Sequence, residues 1–245
     1  MWTGDWWWDT QEKLPNESGT IAPGIIASNQ MQLSAFSGDK KAWPVYISIG
    51  NIGKSIHRKL SSQAFILLGY IPMCKLECFL KDKHSEKGYQ FFHDCMRKIL
   101  EPLKKAGRKG IVMTCADGYK RVHPLLAVYM ADYPEQCLVC CRENSCPKCK
   151  VFPKQRGELL HSILARDPEE TLNILQQQSA GLKPSNFSTQ NLQPVDPFWC
   201  NLPHCNIFDC MTPNLLHQLQ KGIFGDHISA WSQASIKKGS GEIDD

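Results

Sequence analysis

The chain has 245 residues, 42% of them hydrophobic, which is too apolar for a disordered tail and enough for one large folded domain or two small ones. Its first residues, MWTGD, lack the basic start and apolar run of a signal peptide, and no stretch approaches a membrane span. The twelve cysteines therefore read as reduced intracellular thiols, some of them metal-bound, and the net charge of +4 is unevenly spread. Between Arg97 and Arg156 stand thirteen Lys or Arg and five acids, +8 locally against −4 for the remainder. A basic block beside a cysteine cluster points to a polyanionic partner, most simply nucleic acid; a solvated charged face is the plainer alternative.

The N-terminus carries four tryptophans in seven residues, Trp2 and Trp6 to Trp8. The expectation is a longer protein cut at this point, or an aromatic cluster packed on the domain. Thr20 to Ser28 is an Ile-rich β run ending at Asn29, Ala42 to Gly50 a second strand and Ser62 to Ile71 a third, closed by Pro72. Asn51 to Ser61, with His57, Arg58 and Lys59, reads as an exposed connection. Tyr89 to Ala106 has helical spacing of Phe92, Met96, Ile99, Leu100 and Leu103, with a stop at Gly107. Cys74 and Cys78, four apart, suit one helix face as small hydrophobes. Gly110 to Ala116 is a short strand ending at Asp117-Gly118, and Pro124 to Ala131 is a strand or buried helix ending at Asp132. The order β-β-β-α-β, with a final apolar element delivering a carboxylate, predicts a mixed α/β sheet. Leu159 to Ala180 reads as helix, Gly181 to Pro197 as loop, and Thr212-Pro213 as the start of a helix through Gly222.

Met130 to Lys150 holds five of the twelve cysteines. Cys146-Pro-Lys-Cys149 is a CxxC turn, and Cys137 with Cys140 forms a second, Cys141 being an alternative ligand. Zinc takes four thiolates in a tetrahedron and one knuckle supplies two, so a structural Zn²⁺ is expected on Cys137, Cys140, Cys146 and Cys149. Plain buried thiols and a redox CxxC are the alternatives, and the short gap leaves room for a ligand pair from elsewhere. Cys200, His204, Cys205 and Cys210 lack tight knuckle spacing.

Two acids at the tips of neighbouring strands can hold Mg²⁺ or Mn²⁺ for phosphoryl transfer, as RNase H-like nucleases do. Here the first position is Asn29 and the second Asp132, with Asp117 as rival; a helix-capping or turn role is the bland reading of both acids. Lys104, Lys105, Arg108, Lys109, Lys120, Arg121, Lys148 and Lys150 are the candidate phosphate contacts.

The stretches GDWWWDTQ, IIASNQMQLSAFSGDKKAWPVYISIGNI, ADGYKRVHPLLAVYMADYPEQCLVCC, CPKC and DPFWCNLPHCNIFDCMTPNLLHQLQKGIF, with the closing EID, cover nearly the whole chain. In these the chain resembles the transposases of Plavaka-type elements of mushroom-forming fungi, CACTA-like cut-and-paste DNA transposons. The resemblance implies an RNase H-like core cutting transposon-end DNA in the nucleus with an acidic triad and Mg²⁺ or Mn²⁺. It makes Asp132 the second catalytic acid, places the family CxxC at Cys146 and Cys149, and makes His217 part of a hallmark helix. The sequence departs from it at Asn29, where the first Asp is expected, at Asn214, and in ending before the final Glu. A neutral amide cannot replace a carboxylate at a two-metal site, so the expectation is a truncated copy without strand cleavage of its own. The alternative is a non-catalytic zinc-containing DNA-binding or interaction module, with self-association and without a membrane. The expected layout is an RNase H-like mixed sheet with flanking helices. It divides into a first core part over 1–136, a zinc-knuckle segment over 137–158, a helical insertion and loop over 159–197, and a distal core part over 198–245.

Overall fold

The computed structural model describes residues 4–15, 19–33, 41–116, 118–156, 158–159, 161–214 and 216–239. A helix α1 (Asp5–Gln11) leads into β1 (Gly19–Ser28), a small β2–β3 pair (Met31–Gln32, Lys41–Ala42) and β4 (Pro44–Ile49). A short helix α2 (Lys54–His57) and β5 (Ile66–Tyr70) follow, then α3 (His84–Ile99), α4 (Glu101–Lys109), β6 (Ile111–Cys115) and β7 (Gly118–Ala131). Beyond it come α5 (Tyr133–Val139), α6 (Pro168–Ser179), α7 (Ser185–Thr189), α8 (Ile207–Cys210) and β8 (Met211–Pro213). A π-type helix over Leu216–Ser229 and α9 (Ala230–Gly239) complete the described chain.

The main sheet runs β5-β4-β1-β7-β6, with β8 also paired to β7. β1 is antiparallel to β4 and parallel to β7. β6 covers the first half of β7, pairing Ile111 with Val122, and β8 takes over the same edge further on, pairing Tyr129 with Met211. The fold is thus a mixed α/β sheet with helices packed on it.

Neighbouring residues of β7 serve opposite faces, as the pleat requires. Leu126 and Tyr129 join Ile26, Val45, Phe92 and Met96 in the large core, whereas Leu125 joins Ile21 and Leu14 in a small one. Trp6 and Trp7 pack on the small core and Trp8 remains 56% exposed, so the aromatic run of α1 covers the sheet. The large core also takes Cys140, Cys141, Ile174, Leu192 and Trp199, so residues from all four expected segments contribute to one cluster. Gly24 sits at a bulge between β1 and β7 where an added Cβ would lie 3.2 Å from the Leu125 carbonyl oxygen. A side chain there would need that carbonyl to give by a few tenths of an ångström.

Pro124 to Ala131 takes the strand form and not the helix, as the second half of the long β7. Several other expected elements are corrected. The helix expected over 89–106 is two helices, and Gly107 does not stop it. α4 continues to Lys109 and ends at Gly110, whose φ of +67° is left-handed. The helix expected from Leu159 begins only at Pro168, because Asp167 caps it with bonds from the Glu169 and Glu170 amides and Pro168 fits its first turn. Thr212-Pro213 belongs to β8 and not to a helix start, since β7 offers that stretch an open edge. Cys74 and Cys78 lie outside any helix and are exposed. Asp117 and the side chain of His217 lie outside the described residues.

Candidate functional site

The parallel register of β1 and β7 pairs Ala27 with Met130. Asn29 and Asp132 each follow two residues later, so they leave the sheet side by side at the same edge. β8 ends at the same edge: Ala131 pairs with Pro213, and the Asn214 amide donates to the Ala131 carbonyl at 3.2 Å. Three strand tips therefore present Asn29, Asp132 and Asn214, one acid between two amides. Gln136 ties two of the tips, its side-chain amide donating to Ala131 O at 2.9 Å and Thr212 O at 3.3 Å. Asn29 and Asn214 line one cavity of about 480 Å³ with Ser28, Tyr46 and Met130. Asp132 lines a neighbouring one of about 200 Å³ with Gln30, Trp43, Tyr89 and Glu135.

Asp132 is the N-cap of α5, its Oδ1 accepting the Glu135 amide at 2.9 Å. Glu135 was not singled out by sequence, yet it is the most perturbed acid at this edge. It is 4% exposed, with Trp43 Nε1 donating to Oε2 at 3.0 Å and Tyr129 Oη to Oε1 at 3.0 Å. Burial pushes its carboxyl up to about 7; the Ser28, Tyr129 and Trp43 donors oppose that rise, and the nearby Asp132 charge adds to it. Ser28 Oγ is buried beside it without a hydrogen bond of good geometry. The signal available in the sequence was only that Glu135 sits three residues after Asp132, the place of a first-turn acid.

The cysteines divide. Cys141, with φ of +56°, turns to His93, its Sγ 3.5 Å from Nε2. Burial holds His93 down to about 3. Cys137, buried, donates to Ser145 O at 3.3 Å, and Cys149 Sγ lies 3.1 Å from Cys146 Sγ. Burial works to raise Cys146, but Cys149 and the backbone N–H groups of Lys148 and Cys149 carry it below the ordinary thiol value. Cys140 is wholly buried, which drives its thiol up, while the Arg142 charge pulls it partly back. Among the described residues no three His, Cys, Asp or Glu side chains already converge as a metal set. Arg142 Nε, Ser145 Oγ and Arg166 Nη1 are buried in this region without a hydrogen-bond partner.

The basic residues also separate. Lys104 and Lys105 reach Glu101 at 3.8 and 3.6 Å on α4, and Arg108 donates to Asn201 O. Arg121 donates to the Lys109 carbonyl at 2.9 Å, which brings the start of β7, with Lys120, to the end of α4. That group lies roughly 35 Å along β7 from Asp132, at about 3.3 Å per residue. Lys148 and Lys150 are elsewhere, the first on Met211 O at 3.0 Å and the second ion-paired with Glu170. No helix among the described residues is long and apolar enough to cross a membrane.

No curated protein matches the chain. The family model described as Plavaka transposase matches residues 1–232. The chain belongs to the Plavaka transposase family.

Proposed function

We propose that this chain is the RNase H-like core of a DDE-type DNA transposase whose metal pocket has lost its charge, and that it does not cut DNA by itself. The observation that carries this is the parallel β1–β7 register, which sets Asn29 and Asp132 at adjacent strand tips. The sheet order β5-β4-β1-β7-β8, with β1 antiparallel to β4 and parallel to β7, supports the core assignment. Two-metal cleavage needs carboxylates bridging the ions, and an amide oxygen supplies no charge. Two of the three strand tips carry amides, and the Glu135 carboxyl is buried on Trp43 and Tyr129, which leaves that edge too weakly negative to hold two divalent ions.

Under this reading the partner is transposon-end DNA, the compartment the nucleus of a fungal cell, and Cys137, Cys140, Cys146 and Cys149 hold a structural Zn²⁺. That ion would fasten the segment after α5 to the sheet. The use of Asp132 as a helix cap favours a second reading, a non-catalytic zinc-containing DNA-binding or assembly module in which only zinc and the basic residues matter. Incubation with Mg²⁺ or Mn²⁺ and element-end duplex tests the proposal. Binding without nicking is expected; specific nicking that Asp132→Ala abolishes would refute the loss of cleavage.

A further inference from the structure

The pleat sends Ile26 of β1 into the large core and the next residue, Ala27, to the other face of the sheet. Ala27 pairs with Tyr46 of β4 and with Met130 of β7, and Met130 pairs with Thr212 of β8. Four neighbouring strands thus set one row of side chains, Tyr46, Ala27, Met130 and Thr212, on the face away from that core, all of them half-buried. The Ala27 methyl lies between two long side chains, so the row dips at β1. The cavity of about 480 Å³ is lined by this row, with Asn29 and Asn214 from the strand tips. Its size falls within the roughly 300–1,000 Å³ of small-molecule sites. None of its described lining residues is charged. A phosphate or a divalent ion would find no opposite charge on these walls. The ligand that fits is neutral, with apolar faces for Tyr46 and Met130 and a polar edge for an amide.

We infer that this cavity takes one unpaired nucleobase from the end of the DNA. This rests on the DNA partner proposed above and names the part of it that the strand tips receive. A nucleobase is flat and uncharged, with π faces that stack on an aromatic ring and an edge that sets hydrogen-bond donors beside acceptors. Tyr46 supplies the ring and Met130 a polarisable thioether. The Asn29 amide carries a donor beside an acceptor and matches such an edge; a carboxylate at that position would offer acceptors alone. The amide that costs this edge its metal-binding charge therefore suits it to a base. Because the amide can turn over, and every base has a π face, the site accepts any of the four bases.

The test uses the full chain and fluorescence anisotropy in EDTA with three element-end duplexes. One is blunt, one carries a single unpaired nucleotide on the 3′ or the 5′ strand, and one carries the same nucleotide without its base. The unpaired nucleotide should tighten binding about 5- to 100-fold over the blunt duplex, the range of one stacked base, and the abasic duplex should bind like the blunt one. In Tyr46→Ala and in Ala27→Leu, which fills the dip, the three duplexes should bind alike, while Tyr46→Phe should keep the ratio. The wild-type comparison stands whether or not a variant folds. Equal binding of the abasic and the intact overhang overturns the base site and leaves the DNA reading in place. An overhang advantage that survives in Tyr46→Ala and Ala27→Leu proteins with wild-type unfolding curves also overturns it. Free deoxyadenosine monophosphate bound as tightly as the overhang would assign the cavity to free nucleotides and overturn its role at a DNA end. No binding to any duplex overturns both the base site and the DNA partner.

Discussion

The Asp132 carboxylate accepts the backbone N–H of Glu135 at 2.9 Å, so the acid at the β7 tip is also the N-cap of α5. Capping and metal binding ask different things of that side chain. A cap needs an oxygen acceptor, charged or not; a metal site needs the charge. Asp132→Ala should therefore lower stability by about 1 kcal/mol, and Asp132→Asn by only a few tenths. Urea unfolding of the three proteins decides it. Equal losses in both variants would show that charge, and not the cap, matters in the folded apo chain.

Glu135 and His93 should give opposite pH dependences of stability. Burial raises Glu135 from 4.5 to about 7, so between those values the folded state keeps a proton that the unfolded chain has lost, and stability falls as pH rises. Burial lowers His93 from 6.5 to about 3, so in that window the unfolded chain holds the extra proton, and stability rises with pH. The two slopes cancel between pH 4.5 and 6.5, where wild type should be nearly flat. Glu135→Gln leaves His93 alone, and the unfolding free energy across that window should then climb by up to about 1.4 kcal/mol per pH unit. A flat profile in the variant would show that His93 titrates normally in the fold.

Two glycines in helices should respond oppositely to alanine. A Cβ at Gly107 would lie 2.7 Å from Pro203 Cγ and 2.9 Å from the Pro124 carbonyl, so Gly107→Ala should destabilise by about 1–3 kcal/mol. At Gly88 on α3 the nearest atom is Leu76 Cδ1 at 3.6 Å, and Gly88→Ala should stabilise by up to about 1 kcal/mol. Thermal unfolding of the pair checks both signs.

The separation of the basic residues predicts separate effects on DNA. Lys105 and Lys109 are exposed on α4, and replacing either by Ala should weaken binding to any duplex and reduce the salt slope by about 1. Lys150→Ala breaks the contact with Glu170 and should show first in stability. Fluorescence anisotropy over a salt series, read beside urea unfolding, distinguishes the two groups. An unchanged slope in Lys105→Ala and Lys109→Ala would remove α4 from the DNA-binding surface.

The strand runs around β1 and β4, the helical stripe on Phe92 and Met96, and the membership of a transposase family are legible in the residues alone. These are local patterns: period two or period 3.6, turn residues, and long ordered matches. Only the tertiary structure decided that Ala27 and Met130 are register partners, because pairing is chosen by which faces the whole sheet buries. It also turned Thr212-Pro213 into a strand, since the open edge of β7 outweighs a local helix-start signal. And it buried Arg142 and Arg166, which composition shows only as two more positive charges. Burial is a property of the packed chain, and it raises the cost of any charge left without polar partners.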